Sequence, residues 1–138
     1  MPKDLKEKVK RTVSEKGLCS CMNDTKWNEL RSAMLEEMPF PPPYIVKFVI
    51  DDECFEEKDF QQDVYHTCDW YYAYSLDGCF NAAFAVEWIK VRPRYLKNKG
   101  QLIPPETISA EEEFRSILEK YSIPFEEQGG VYCIYGYK

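Results

Sequence analysis

The sequence predicts an α+β protein with a mostly antiparallel sheet of about four to five strands. Apolar residues recur with helical spacing in three segments, and short apolar runs bounded by proline, glycine or acidic residues mark the strands. The pair Asp77–Gly78 between two strand-like runs is typical of a tight hairpin turn, because that turn needs a positive φ at both central residues. Helices and strands do not alternate along the chain, which favours α+β over a parallel α/β fold.

Length and composition are those of one globular domain. The chain has 138 residues, of which 44% are hydrophobic and 15% aromatic, so it can bury a proper core and is not a disordered segment. No apolar run approaches the roughly 20 residues of a membrane-spanning helix. Residues 1–11 contain no apolar signal-peptide core. We therefore expect a cytoplasmic protein without a membrane partner.

The first predicted helix covers about residues 3–16 and ends at Gly17. Its apolar positions form a narrow stripe at Leu5, Val9 and Val13. A narrow stripe buries little surface, so we expect this helix to be peripheral. Residues 1–22 are accordingly assigned to a peripheral helix and linker, and residues 23–138 to a single α+β domain.

The second predicted helix covers about residues 24–38, with Asn23 or Asp24 as its N-cap. It must end before Pro39, because proline disfavours helical geometry in the residue before it. Its apolar face is formed by Trp27, Leu30, Met34 and Met38. This face predicts a core helix.

A stiff proline-rich connector leads into the first predicted strand, Tyr44–Ile50. The strand is followed by an acidic loop over residues 51–63, which contains seven acidic residues and one lysine. This loop lacks the central glycine and the regular spacing of oxygen ligands in an EF-hand, so we exclude a calcium site of that type.

A central hairpin is predicted over about residues 65–95, with Asp77–Gly78 as a two-residue loop. In that register, residues whose numbers sum to 155 face each other, whereas a longer loop would shift the register by one residue and exchange the two faces. The pairs on one face are Trp70 with Ala85, Tyr72 with Ala83, and Tyr74 with Asn81. Both faces of the hairpin carry large apolar groups, with Tyr71 opposite Phe84 on the second. We therefore expect the hairpin to lie in the middle of the sheet.

The C-terminal part supplies a third helix over about residues 110–121 and a last strand, Val131–Tyr137. Ser109 and Glu112 form a capping-box pattern at the start of this helix. Residues 98–105 are expected to be a loop, and residues 125–130 a short strand or turn. The helix buries a face made of Phe114, Ile117, Leu118 and Tyr121.

The sequence contains no recognisable catalytic or metal-binding motif. His66 is the single histidine, and Asp69 would point to the opposite face of the same strand. No nucleophile elbow or phosphate-binding glycine loop is present. Cys19 and Cys21 are the only close cysteine pair, which is too few ligands for a structural zinc site. We expect reduced cysteines, no catalytic residue, no metal and no cofactor, and we lean towards a non-enzyme.

The aromatic content instead favours binding, because exposed tyrosine and tryptophan rings are good anchors for partners. The candidate binding residues are Trp70, Tyr72, Tyr74, Glu87 and His66. The leading hypothesis is a non-enzymatic protein-binding module that uses an aromatic sheet face, flanked by the acidic loop 51–63 and the basic segment 90–99. The partner would be another protein or a second copy of this chain, whereas the net charge of −6 argues against nucleic acid.

An alternative hypothesis is a small enzyme or small-molecule binder with a pocket around Glu87 and His66. Glu87 stands in an otherwise apolar run, where a carboxylate is either on a wet face, buried with a partner, or directed at a ligand.

Three sequence blocks carry a resemblance to a known family. They are NDTKWNELRSAM, then DWYYAYS with VEWIKV, and then EEEFRSILEKYSIPFEEQGGVYCIYGY. Together they resemble a family of small bacterial proteins known only as a domain of unknown function, from about Asn23 to Tyr137. The resemblance implies a bacterial, single-domain, cytoplasmic protein and transfers no activity. The helix and proline-rich connector before a sheet also resemble the small immunity proteins that neutralise bacterial toxins, an analogy of architecture only.

Overall fold

The computed structural model describes residues 2–51, 62–76 and 78–138 and has an α+β architecture, as predicted. The helices are α1 (Pro2–Lys16), α2 (Asp24–Glu36) and α3 (Glu111–Lys120). The strands are β1 (Tyr44–Phe48), β2 (Val86–Val91), β3 (Arg94–Lys97), β4 (Glu106–Ser109), β5 (Glu126–Gln128) and β6 (Val131–Tyr135). Most of the predicted acidic loop, residues 52–61, lies outside the described residues.

The main sheet has four strands in the order β1-β2-β6-β5, and every neighbouring pair is antiparallel. This confirms the predicted antiparallel sheet. Ile89 in β2 lies opposite Val46 in β1 and opposite Ile134 in β6. Both Ile89 and Ile134 are fully buried, so β2 and β6 form the centre of the sheet.

The helices and one face of the sheet form a single hydrophobic core. The apolar face predicted for α2 is buried at Trp27, Leu30, Met34 and Met38. Phe114 of α3 packs edge-on against Tyr132 of β6, with ring centroids 5.2 Å apart. Helix α1 also contributes to this core, through the buried side chains of Leu5 and Val9.

The helix starts differ in how well their caps were predicted. Asn23 is the N-cap of α2, and its side-chain oxygen accepts a hydrogen bond of 2.8 Å from the amide N–H of Lys26. The predicted capping box of α3 is wrong, because the N-cap is Ala110 and makes no side-chain cap bond. Ser109 ends β4 one residue before the N-cap, and its hydroxyl accepts a long hydrogen bond of 3.5 Å from the amide N–H of Glu111 instead of Glu112.

The predicted central hairpin over residues 65–95 is wrong apart from its turn. Leu76 and Cys79 exchange two backbone hydrogen bonds of 3.0 and 2.8 Å around Gly78, whose φ is +81°. Asp77 itself lies outside the described residues. Leu76 and Cys79 form an isolated bridge that is not extended by further strand pairing in the described residues, and β2 pairs with β1 and β6 instead. The register expected for Trp70 and the residues after it therefore does not form.

The physical reason lies in the turn that residues 70–74 adopt in place of a strand. Trp70, Ala73 and Tyr74 are buried, which is the i, i+3, i+4 spacing of a helical turn and not the alternation of a strand. Each buried ring also finds a hydrogen-bond acceptor outside the expected hairpin. Trp70 Nε1 donates to the carbonyl oxygen of Pro42 at 2.9 Å, and the Tyr74 hydroxyl donates to that of Trp27 at 2.9 Å.

A second, two-stranded sheet made of β3 and β4 was not predicted. Its strands flank the predicted loop over residues 98–105, and Tyr95 pairs with Ile108 in its register. Arg92 and Arg94 at its start both contact Asp63, at 2.8 and 3.3 Å from their Nε atoms. The basic segment 90–99 is thus partly neutralised within the protein, and Lys99 adds an ion pair of 2.7 Å with Glu106.

Tyr44 gives a testable consequence of the packing around Trp70. The two rings lie 4.7 Å apart, and the Tyr44 hydroxyl donates to the carbonyl oxygen of Asp69 at 2.8 Å. Burial, followed by the nearby Cys68 and Asp69, raises the pKa of Tyr44 to about 12. An unfolded tyrosine has a pKa of about 10. The folded state therefore holds this proton more tightly, and the resulting stability is complete below about pH 10 and lost as the pH rises towards about 12.

We expect the free energy of unfolding to fall between about pH 10 and about pH 12, and to fall less steeply in a Tyr44→Phe variant. Urea unfolding at a series of pH values measures both slopes. The wild type serves as the control for the other buried tyrosines, because they are common to both proteins. Parallel losses of stability in the two proteins would contradict the assignment to Tyr44.

Candidate functional site

The most distinctive surface feature is a group of three exposed aromatic rings, Tyr71, Tyr72 and Phe80, called here the aromatic cluster. Their exposed fractions are 52%, 58% and 44%. Each ring contacts the other two, with centroid separations of 4.9, 5.1 and 5.7 Å. The rings thus form one continuous apolar surface, which is a different situation from single apolar side chains scattered over a protein.

Local backbone structure explains why these rings face solvent. The turn over residues 70–74 directs Trp70 and Tyr74 into the core. Tyr71 and Tyr72 lie between them in the sequence and therefore point outwards into solvent. Asp69 Oδ1 accepts a hydrogen bond of 2.8 Å from the amide N–H of Tyr71. The Ser75 hydroxyl donates to the carbonyl oxygen of Phe80 at 3.1 Å. These hydrogen bonds hold Tyr71 before the Gly78 turn and Phe80 after it.

Arg31 of α2 lies at the inner border of the aromatic cluster. Its Cζ atom is 5.3 Å from the centroid of the buried Tyr74 ring and 5.4 Å from that of the exposed Phe80 ring. Burial raises the pKa of Tyr74, an effect that the nearby Arg31 charge opposes. The guanidinium is thus held by two rings, in cation–π contacts, beside the exposed surface.

An open cleft of about 320 Å³ lies close to the aromatic cluster. Its lining residues are Lys6, Asp24, Asn28, Cys79, Asn81, Ala83 and Phe84. Cys79 and Asn81 are the chain neighbours of Phe80, and Asn28 is one helical turn before Arg31, so cleft and cluster share the same part of the molecule. Most of the lining side chains are polar, and the Lys6 ammonium lies 5.5 Å from the centre of the Phe84 ring.

The structure separates the five residues expected to bind. Trp70 and Tyr74 are fully buried and support the site from below, while Tyr72 is exposed in the aromatic cluster. Glu87 lies on β2 and forms an ion pair of 2.9 Å with Lys47. His66 is exposed in the irregular segment before Trp70. Neither Glu87 nor His66 lines the cleft.

Sequence reasoning missed Tyr71, Phe80 and Arg31. The assumed strand placed Tyr71 opposite Phe84 within the sheet, and so hid its contact with Tyr72 and Phe80. The spacing of Trp70, Ala73 and Tyr74 was the available signal, since it fits a helical turn that leaves the intervening tyrosines outside. No local signal identified Arg31, because its two ring contacts join segments far apart in the sequence.

The described residues contain neither a metal-binding cluster nor a membrane-spanning helix. Within residues 2–51, 62–76 and 78–138, no three histidine, cysteine or acidic side chains are placed to hold a metal ion. None of the helices in this part of the chain is long and apolar enough to cross a bilayer. The five described cysteines, Cys19, Cys21, Cys68, Cys79 and Cys133, are free thiols.

One comparison with known proteins gives a match. The model of a family described as "Family of unknown function (DUF6678)" matches residues 9–138. The match includes all of α2, α3 and the six strands, and therefore every residue of the aromatic cluster. No curated protein and no solved structure matches the chain.

Proposed function

We propose that this chain, which belongs to the family of unknown function DUF6678 across residues 9–138, is a non-enzymatic protein-binding module that acts through its aromatic cluster. The observation that carries the proposal is the mutual contact of three exposed rings, Tyr71, Tyr72 and Phe80. Aromatic residues that are grouped and partly exposed are the usual energetic centres of protein interfaces. The proposed surface is formed by turns, in place of the sheet face expected from the sequence.

The hydrogen bonds and buried rings that hold the aromatic cluster in place also favour a binding function. Tyr71 and Phe80 are tied by hydrogen bonds to Asp69 and Ser75, and the turn beneath them is fixed by the buried rings of Trp70 and Tyr74. A surface that is already ordered loses less conformational entropy when a partner binds, so more of its contact energy contributes to affinity.

The partner in this proposal is another protein or a second copy of the chain. Neutralisation of a bacterial toxin is one form that such binding would take, and a bacterial cytoplasmic setting is part of the same proposal. A small-molecule or enzymatic site built on Glu87 and His66 has less support, because Glu87 is paired with Lys47, His66 is exposed, and the cleft is lined by other residues.

Affinity capture from a lysate of the source organism tests the proposal. The bait proteins are the wild type, a triple variant with Tyr71→Ser, Tyr72→Ser and Phe80→Ser, and two matched controls, Tyr65→Ser and Leu102→Ser. The controls also remove exposed apolar side chains, but outside the aromatic cluster. We expect a protein that is retained by the wild type and both controls and is lost from the triple variant.

The retained protein is then purified and its affinity measured directly. Loss of an interface hot spot costs about 2 kcal/mol or more, so we expect each single cluster substitution to weaken binding by at least about 30-fold. Circular dichroism checks that the variants remain folded. Analytical ultracentrifugation detects the case in which the partner is a second copy, since the triple variant would then be monomeric. Equal retention by the triple variant would refute the proposal.

A further inference from the structure

Arg31 has no carboxylate partner in the part of the chain that the structure describes. It is half-buried on α2, and its Nη1 atom is buried without a hydrogen-bond partner. Across residues 2–51, 62–76 and 78–138, its contacts are the cation–π contacts with Tyr74 and Phe80, and no acidic side chain forms an ion pair with it. Buried arginines are almost always paired, because an unsatisfied buried donor destabilises the folded state.

What sets Arg31 apart from Arg92 and Arg94 is the lack of an ion pair within the residues that the structure describes. The chain carries 24 acidic residues against 18 lysines and arginines, so carboxylates are abundant. Arg92 and Arg94 both contact Asp63, although Nε of Arg94, 3.3 Å from that carboxylate, is also buried without a hydrogen-bond partner. Arg31 is instead held between a buried ring and an exposed ring, at the border of a surface already proposed to bind a protein. None of the acidic side chains in the described residues supplies this acceptor, so the position fits a group from outside this part of the chain.

We infer that Arg31 binds an acidic side chain of the partner, an inference that rests on the proposed protein-binding function. The planar guanidinium offers paired N–H donors that match the two oxygens of a carboxylate. Contact with Tyr74 on the buried side orients the guanidinium, and the partly exposed Phe80 ring lies on the side from which a partner arrives. Because Nη1 is buried in the unbound protein, the Phe80 side chain has to move for a carboxylate to reach this donor.

The geometry also sets the spacing of the two anchors in the partner. Arg31 Cζ is 5.4 Å from the centre of the Phe80 ring. Side chains at positions i and i+2 of an extended segment lie on the same side, about 6.6 Å apart. An extended partner segment fits this spacing when an apolar or aromatic residue contacts the aromatic cluster and an aspartate or glutamate two positions away contacts Arg31.

Two synthetic pentapeptides probe this arrangement, acetyl-Gly-Phe-Ser-Asp-Gly-amide and its counterpart with Asn in place of Asp. The dissociation constants are measured by titration of isotope-labelled protein in NMR spectra. We expect the Asp peptide to bind the wild type about fivefold more tightly than the Asn peptide, with shifts at Tyr71, Tyr72 and the Arg31 Nε–H. In Arg31→Met, which keeps the apolar stem, the two peptides should bind equally.

The matched control is Arg11→Met, an exposed arginine on α1 whose loss changes the net charge by the same amount. This control should keep the fivefold preference, which separates a specific contact from a general effect of charge. A free carboxyl terminus is tested with acetyl-Gly-Gly-Phe and its amide. A larger preference within this second pair than for Asp over Asn would overturn the assignment to a side chain.

The remaining outcomes distinguish this inference from the proposed function. If both pentapeptides shift the aromatic cluster but bind with equal affinity, the role of Arg31 is refuted and the protein-binding proposal stands. If a preference for Asp survives in Arg31→Met, another cation makes the contact and the inference is again refuted. If neither peptide perturbs the cluster at millimolar concentration, the inference fails, while the capture experiment still decides the proposed function.

Discussion

Trp70→Ala is expected to lower the free energy of unfolding by about 3–5 kcal/mol, because removal of a large buried aromatic side chain leaves a cavity. Trp70 is fully buried, packs against Tyr44 at a centroid distance of 4.7 Å, and donates a hydrogen bond to Pro42. The variant also leaves the carbonyl oxygen of Pro42 without its donor, which adds to the loss. Urea unfolding followed by circular dichroism measures the change, since tryptophan fluorescence is altered by the substitution itself.

Two further variants show what Trp70 contributes. Trp70→Phe keeps most of the ring volume but removes the indole N–H, so we expect a smaller loss of about 1–3 kcal/mol. Tyr71→Ala changes the exposed neighbour and should alter the free energy of unfolding by about 0.5 kcal/mol or less. If Trp70→Ala unfolds at the same urea concentration as Tyr71→Ala, the tryptophan is not a core residue and residues 70–74 do not form the turn described above.

The helices were predictable because their signals lie within a few residues of each other. For α2, the Asn23 cap, the apolar face that contains Trp27 and Leu30, and the proline that follows Met38 all act within the segment itself. The N-cap of α3 was mispredicted by one residue because Ser109 is still paired in β4 with Arg94, a residue fifteen positions earlier in the chain, so the cap falls on Ala110. A local pattern is reliable as long as no distant strand competes for the same residue.

The hairpin shows the opposite case, in which distant pairing overrides a correct local signal. The turn at Gly78 forms, but the strand Val86–Val91 pairs with β1 and β6 instead of with its neighbour across the turn. Trp70 and Tyr74 have hydrogen-bond acceptors in Pro42 and Trp27, and these acceptors become adjacent only in the folded chain. Sequence alone could not indicate which of these competing pairings is the more stable one.

The candidate site was predictable only in part for the same reason. The density of aromatic residues indicated an aromatic surface and included Tyr72, but the face exposed to solvent depends on whether residues 70–74 form a strand or a turn. That Arg31 forms no ion pair within the described residues follows from how distant segments pack around α2, and no local sequence pattern indicates it.

Gly136→Ala is expected to have the largest effect of any glycine-to-alanine substitution in this protein. A Cβ atom at Gly136 would lie 2.1 Å from the carbonyl oxygen of Val86 and 3.0 Å from Cζ2 of Trp27. The Gly136 backbone cannot move away easily, because its amide donates to Glu87 at 2.8 Å and its carbonyl accepts from Cys21 at 2.8 Å. Overpacking a core typically costs about 1–3 kcal/mol, and here the obstacle is a backbone atom, so we expect a loss of more than about 3 kcal/mol.

Gly129→Ala is the matched control for this substitution. Gly129 has a φ of +60° and no atom within 4 Å of an added Cβ, so its replacement strains the backbone without a steric clash. That strain costs about 1 kcal/mol. Urea or thermal unfolding should therefore rank the wild type first, Gly129→Ala second and Gly136→Ala last, with poor soluble yield of the last. Equal stability of the two variants would contradict the close approach of Gly136 to β2 and Trp27. The position of the turn over residues 70–74, and hence of the aromatic cluster, depends on this packing because Tyr74 donates its hydrogen bond to Trp27.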